Sequence, residues 1–377
     1  MKNKIKLGIL GGGGDSLIGI VHRIASSMHD RYEIVGGCFN PNPSDNKAFA
    51  QQLGLDLNRV YDTIDAMMEG ERQRPEEDRI EAVSVLTPNF LHFPMAKQLL
   101  DNNFHVICEK PLTTTYAEAE ELRTLQEKKQ TIFAVTYTYT GYPMIRQMKH
   151  LIQSGAIGKI QKVDLQYYQG WINPIIHDAA ARKNTWRLQP DKSGISCCVG
   201  DIGTHAFDML EYVTGLEVNE LLADLNYVYE DNPMDIDGTI LVRLNNAAKG
   251  VIRASQIATG EENNFTVAIY GEKGGLKWEQ ENPNYLHHLT DYQPFQTFKR
   301  GNAYNSAFSQ DGVKVPSGHP EGLFDAMGNI YKGVAKAIRG ETAFEGEYPT
   351  LSAGARGMKF IEQVVASHKA GNQWTTL

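Results

Sequence analysis

Four consecutive glycines, Gly11 to Gly14, follow the short apolar run Ile5 to Leu10 and precede a stretch with apolar residues at helical spacing, Ile20, Ile24 and Met28. Glycines between a first strand and a helix let the backbone approach a pyrophosphate, where free N–H groups and the helix dipole favour an anion. The same run also fits a flexible turn that binds nothing. The strict G-x-G-x-x-G spacing is not met, because counting from Gly11 brings Ser16 to the third glycine's place and Gly19 comes later. Where an acidic residue commonly closes the second strand and takes the ribose 2′-hydroxyl, this chain has Asn40, in Phe39-Asn40-Pro41-Asn42-Pro43-Ser44. An amide can bond a hydroxyl without repelling a 2′-phosphate, and no arginine follows closely to attract one. These residues favour NAD and leave NADP open.

Two further polar clusters follow strand-like runs. Thr87-Pro88-Asn89, with His92, comes after Val83 to Leu86, and Glu109-Lys110-Pro111 comes after His105 to Cys108. The C-terminal ends of parallel strands are the edge at which α/β sheets bind ligands. Taken alone, Glu-Lys-Pro also fits a surface ion pair. Asp201 and His205 are four apart and would share a helix face. A carboxylate so placed can orient the imidazole or share a substrate hydroxyl, and a histidine pKa of about 6.5 suits proton exchange near neutrality. The pair fits a helix N-cap and a surface histidine as well.

The elements that must position these groups alternate regularly over the first 140 residues. Strands are expected at Ile5 to Leu10, Tyr32 to Phe39, around Val60, and at Ala82 to Leu86, His105 to Cys108 and Ile132 to Thr136. Helices are expected at Ile18 to Met28, Asn46 to Leu53, Ile64 to Glu69, Phe90 to Leu100 and Thr115 to Lys129, with Gly70 to Asp78 a solvated loop. Such alternation implies βαβ units and a doubly wound parallel sheet, a Rossmann domain over residues 1–140. Over residues 141–377 the pattern changes. A helix (Met144 to Ser154), a strand (Gln161 to Tyr168), an irregular aromatic loop (Gly170 to Gly194) and a helix (Asp201 to Val213) precede five strand-like runs. Those runs are Leu221 to Tyr229, Thr239 to Leu244, Gly250 to Ile257, Phe265 to Tyr270 and Gly275 to Trp278. Strands in sequence without helices between them imply an open, mostly antiparallel sheet in a second α/β domain. Residues 280–318 read as loop, and helices Gly322 to Ile338 and Leu351 to His368 close the chain.

Composition sets the outer bounds. The 377 residues carry 37 Lys plus Arg against 45 Asp plus Glu, a formal charge of −8, with 41% hydrophobic content. That excludes an intrinsically disordered chain and argues against a nucleic-acid or anionic-membrane partner, which would need a cationic face. Four cysteines, Cys38, Cys108, Cys197 and Cys198, form neither a secreted-type disulfide framework nor a metal-ligand spacing, so no metal is expected. The N-terminal apolar run is too short for a signal segment, and no stretch approaches the ~20 apolar residues of a membrane helix. The expectation is a cytoplasmic protein.

Together, Gly11 to Gly14, Thr87-Pro88-Asn89 with His92, and Glu109-Lys110-Pro111 resemble the glucose–fructose oxidoreductase, inositol dehydrogenase and MocA (GFO/IDH/MocA) family. The resemblance continues through Arg146 to Ile160, Thr185-Trp186-Arg187, Gly200-Asp201-Ile202-Gly203-Thr204-His205 and His319-Pro320-Glu321-Gly322. It implies a nicotinamide-dependent oxidoreductase of sugars or cyclitols, with Lys110, Asp201 and His205 matching the family's active-site lysine, aspartate and histidine. In that chemistry His205 serves as acid/base, while Lys110 hydrogen-bonds the reacting oxygen and stabilises its charge, or with a depressed pKa acts as base. The implied cofactor contacts are Gly11, Gly12, Gly13, Gly14, Ser16, Asn40, Thr87, Pro88, Asn89, His92, Glu109 and Lys110. Tyr139, Trp171, Trp186 and Arg187, with Lys110, Asp201 and His205, suit a pyranose or cyclitol ring, whose C–H face stacks on aromatics. Tyr137, Tyr142, His177 and Asn184 are weaker candidates, and each aromatic fits a core or interface position equally. Strands with few helices to cover both sheet faces lead us to expect a homodimer or homotetramer. Two rival readings are glycoside cleavage through transient oxidation by a tightly held NAD, and a non-catalytic nucleotide-dependent sensor.

Overall fold

The computed structural model describes residues 4–227 and 233–377; Met1 to Asn3 and Tyr229, the expected end of one strand, lie outside the described residues. The chain divides into two compact units, the first formed by Met1–Thr113, Ala117–Thr138 and Leu323–Ala355, the second by Thr114–Tyr116, Tyr139–Gly322 and Arg356–Leu377. A single cut near residue 140 therefore misplaces helix Leu323–Ile338, which packs in the first unit. Its Met327, Ile330, Tyr331 and Val334 form one core cluster with Ile5, Leu7, Val21, Ala25 and Tyr32.

In the first unit β1 (Ile5–Gly11), β2 (Tyr32–Cys38), β3 (Ala82–Leu86), β4 (His105–Cys108) and β5 (Phe133–Val135) form a parallel sheet in the order β2-β1-β3-β4-β5. All five residues of β3 are buried, as a strand covered on both faces requires. The strand expected around Val60 shrinks to one parallel bridge with Gly37, after a 3₁₀ turn at Leu57–Arg59. That bridge adds Val60 alongside β2 on the edge away from β1, so the six positions run in the doubly wound order, reversing between β1 and β3. Ligands bind such sheets at this reversal, and both the glycine run and Thr87-Pro88-Asn89 sit there at strand ends. The expected loop Gly70 to Asp78 is also corrected. Helix Ile64–Arg72 runs into it, and Glu71 is fully buried, accepting hydrogen bonds from Arg59 Nη2 (2.7 Å), Tyr61 Oη (2.8 Å) and the Ile80 N–H (2.8 Å). Charge in the sequence suggested solvent there, whereas the carboxylate is stabilised inside by these donors.

The second unit holds a nine-stranded sheet: β6 (Ile160–Tyr168), β7 (Val218–Asn226), β8 (Asp237–Leu244), β9 (Lys249–Ser255), β10 (Asn264–Gly271), β11 (Gly275–Glu279), β12 (Tyr285–Leu289), β13 (Gln296–Lys299) and β14 (Thr375–Thr376). The order is β13-β12-β11-β10-β6-β9-β8-β7-β14, and only β6 and β9 pair in parallel among these neighbours. Burial alternates along β8 and β10, the period-2 signature of a sheet with one covered face. Residues 280–318 are not all loop: they supply β12, β13 and helix Ala307–Asp311. The aromatic segment Gly170 to Gly194 contains helices Asn173–Ile176, Ala179–Asn184 and Pro190–Ser193 and the 3₁₀ turn Trp186–Leu188. No described helix is long and apolar enough to cross a membrane.

Candidate active site

In the first unit the glycine run forms a tight turn. Gly11, Gly12 and Gly14 adopt left-handed φ values of 81°, 66° and 60°. The Gly13 N–H donates to the Phe39 carbonyl at 3.1 Å, tying the turn to the end of β2. Ser16 caps helix Leu17–Ser27 by accepting from the Gly19 N–H. Gly19, displaced from the expected spacing, does the packing work of a third glycine, since a Cβ there would stand 1.9 Å from the Gly12 carbonyl oxygen. The turn and the helix N-terminus thus form a backbone cradle of the kind a pyrophosphate needs. Arg23 reaches back from the helix to donate to the Gly12 carbonyl at 2.7 Å. The Asn40 side chain accepts from the Asn42 N–H at 2.9 Å, shaping the turn after β2.

Lys110 follows β4, half-buried, and the groups behind it are organised in depth. Glu109 accepts from the Lys110 N–H (3.3 Å) and Thr136 Oγ1 (2.5 Å), and one of its oxygens lies 2.8 Å from His22 Nε2. His22 Nδ1 lies 2.7 Å from the Tyr331 hydroxyl, which lies 2.7 Å from Ser84 Oγ. Burial alone would raise the Glu109 pKa, but the hydrogen bonds and charge of His22, with Thr136 and Lys110, pull it down to about 2. The Glu109 side chain is thus held from the interior by His22 and Thr136. His92 is likewise held by protein groups. Fully buried, its ring nitrogens lie 2.9 Å from the Pro111 carbonyl and 2.8 Å from the Thr87 carbonyl, joining the loops after β3 and β4, and burial lowers its pKa. Asn89 is buried, while Thr87 and Pro88 are half-buried beside it.

In the second unit Asp201 lies in a π-helical turn, Val199–Gly203, that leads into helix Thr204–Thr214. Such turns insert one residue into a helix and recur at functional sites. Asp201 is therefore not an N-cap, and His205 is buried, not on the surface. The turn is anchored by Asp235, whose carboxylate accepts from the Cys197 N–H (2.9 Å) and the Val199 N–H (2.8 Å). Asp201 Oδ2 accepts from Gln256 Nε2 at 2.9 Å and lies 3.6 Å from Arg187 Nε. The Arg187 guanidinium lies over the Trp186 ring at 4.6 Å and within 5.9 Å of Trp171, whose indole N–H donates to Gln169. The His205 ring packs edge-on against Tyr139, with centroids 4.8 Å apart. Tyr139 is buried, its hydroxyl 2.5 Å from that of Tyr167, and its ring backs His205. Tyr137 and Tyr142 are core residues.

The sequence singles out Lys110, Asp201 and His205 as candidates but gives no sign of the groups that hold their surroundings, His22, Tyr331, Asp235 and Gln256. Those four act through partners remote in the chain, His22 meeting groups 87 and 309 residues away. No spacing motif signals such pairs.

This parallel unit with its glycine cradle, joined to a large mostly antiparallel sheet, defines a class of two-domain oxidoreductase. Residues 5–137 match the family described as "Oxidoreductase family, NAD-binding Rossmann fold", and residues 145–277 match the GFO/IDH/MocA C-terminal domain. The chain belongs to the GFO/IDH/MocA family, is an oxidoreductase, and carries an NAD-binding Rossmann domain. It is 33% identical to the uncharacterized oxidoreductase YfiI of Bacillus subtilis over 98% of this chain and 96% of that one. An inositol dehydrogenase homologue from Azotobacter vinelandii, solved with NAD+, matches with a TM-score of 0.92 and 31% identity, covering 100% of this chain and 98% of that one. The same homologue solved with NADH and myo-inositol gives a TM-score of 0.90. Levoglucosan dehydrogenase of Pseudarthrobacter phenanthrenivorans is 29% identical over 55% of this chain and 57% of that one.

Proposed function

We propose that this protein is an NAD-dependent dehydrogenase that reversibly oxidises a ring hydroxyl of a cyclitol, sugar or related polyol to a ketone. The observation that carries the reading is the Asp201–His205 segment, with a carboxylate fixed between Gln256 and Arg187 and a buried imidazole seated on Tyr139. His205 takes the proton of the reacting hydroxyl, and Asp201 orients the imidazole or shares that hydroxyl. Lys110 donates to the reacting oxygen and stabilises the charge that grows there as the proton leaves. Trp171, Trp186 and Arg187 receive the ring, apolar face on indole and hydroxyls on the guanidinium. Bound NAD supplies the acceptor for the hydride lost from the alcohol carbon. Gly11, Gly12, Gly13, Gly14 and Ser16 hold its pyrophosphate, and Asn40, Thr87, Pro88 and Asn89 flank the rest. NAD is preferred over NADP because an amide, not a cation, stands at Asn40. The substrate class follows the relatives, one solved with myo-inositol and another named for levoglucosan. The free thiols suit a cytoplasmic location.

The test is NADH formation, followed by absorbance, with NAD+ or NADP+ and myo-inositol, levoglucosan and a panel of aldoses and glycosides. Reduction of NAD+ by at least one ring polyol, reduced about 100-fold or more in Lys110→Ala, is expected. Glycoside cleavage without net NADH would replace this reading with transient oxidation and elimination. NADH binding with no turnover of any kind would replace it with a sensor.

A further inference from the structure

Gln256 follows β9 directly and is fully buried, and each of its polar atoms has a partner. Its N–H donates to the Ile236 carbonyl (2.9 Å), and its own carbonyl accepts from the Ile172 N–H (3.3 Å). At the tip of the side chain, Oε1 accepts from Cys197 Sγ–H at 3.4 Å and Nε2 donates to Asp201 Oδ2 at 2.9 Å. The amide has one tenable orientation, because turning it over would set its oxygen against a carboxylate. The thiol that reads Oε1 is itself held, since the Cys197 N–H is bound by Asp235. Oδ2 of Asp201 is thereby fixed as an acceptor, with Gln256 on the interior side and Arg187 beyond it. A proton on that oxygen would confront the Gln256 N–H.

On the reading that Asp201 serves the dehydrogenase reaction, we propose that Gln256 is a positioning residue that fixes the rotamer of Asp201 and keeps its Oδ2 unprotonated. The titratable groups around the carboxylate are Arg187 on the turn Trp186–Leu188, Tyr167 on β6, Cys197 and Cys198 before the π turn, Asp235 before β8, and His205 one helical turn onward. Of these, Cys197 meets the Gln256 amide at Oε1, whereas Nε2 of the same amide meets Oδ2 of Asp201. Cys197 acquires a role in this arrangement, supplying the thiol that orients the amide.

Gln256→Glu preserves the shape but brings a second carboxyl to Oδ2, and two such groups resist joint ionisation. Gln256→Leu removes the donor. Two readouts separate the inference from the reading beneath it. In the pH profile of kcat/KM with NAD+ and myo-inositol, or the panel polyol that wild type oxidises best, Gln256→Glu should move the acid limb up by about one pH unit or more. Gln256→Leu should lower kcat about 10- to 100-fold, with the NADH dissociation constant within about twofold of wild type in both variants. Independently of turnover, the Asp201 carboxyl resonance, followed by carbon NMR on [13C]aspartate-labelled protein and assigned with Asp201→Asn, should titrate at higher pH in Gln256→Glu. An unchanged Asp201 titration in both variants overturns the proposal whatever the activity. An altered titration in an enzyme that oxidises no ring polyol upholds the contact and overturns only the function assigned to it.

Discussion

The charge of Glu109 is committed to the folded state. Its pKa falls from 4.5 to about 2 because donors from His22, Thr136 and Lys110 outweigh the cost of burial. A carboxyl depressed in this way stabilises the fold fully above its unfolded value, near 4.5, and loses that contribution as pH falls toward 2. The gap corresponds to on the order of 3 kcal/mol, a large share of a typical domain's stability. Urea unfolding of wild type should therefore weaken steeply between about pH 5 and pH 3, and Glu109→Gln should be less stable at neutrality with a flatter profile over that window. Parallel profiles for the two proteins would refute the assignment. None of this was legible in Glu109-Lys110-Pro111, which shows two charges side by side and gives no hint that one faces the core. What was legible at this scale was Lys110, Asp201 and His205, each lying in a contiguous run whose context survives without the fold. Gln256, His22 and Tyr331 have no such context. Their meaning is created by strand order and helix packing.

At the scale of elements, the glycine turn and the first helix behave as one part. Gly19 faces the Gly12 carbonyl so closely that a single methyl group cannot be admitted without displacing the helix from the turn. Gly19→Ala should weaken NADH binding by about tenfold or more, about 1.4 kcal/mol, or prevent folding. A soluble variant with wild-type fluorescence titration by NADH would show that the turn is not the nucleotide cradle. The strict spacing test failed to credit Gly19 because it counts residues, whereas the constraint is distance between backbones. The same contrast explains the strands missed after residue 280. In β12 only Leu286 is fully buried and in β13 no residue is, so neither shows the alternation that marks a half-covered strand. They are strands because β11 offers an edge to pair with. The strand at Val60 fails in the opposite sense: its apolar residues are buried, yet the chain turns away after one bridge. The π turn at Val199–Gly203 was likewise invisible, since it depends on Asp235 gripping the segment before it.

At the scale of the whole molecule, we propose that the face of the nine-stranded sheet that bears Leu241 is where one chain meets another of its kind. Leu222, Leu241 and Val251 stand opposite one another across β7, β8 and β9, so their side chains share that face in one apolar row. Leu241 is 43% exposed, and the row continues in register to Asp164 on β6, which pairs with Arg253. Apolar residues framed by ion pairs on an open sheet suit a second copy of the same surface, related by a two-fold axis, better than they suit water. Leu241→Lys places two like charges near the axis of such a pair and should shift the mass measured by light scattering toward the 42.1 kDa of one chain. Wild type at the single-chain mass over micromolar concentrations would refute the association outright. An oligomer unaffected by Leu241→Lys would move the contact elsewhere, for example to the hairpin of β12 and β13, which exposes Tyr292 and Phe295.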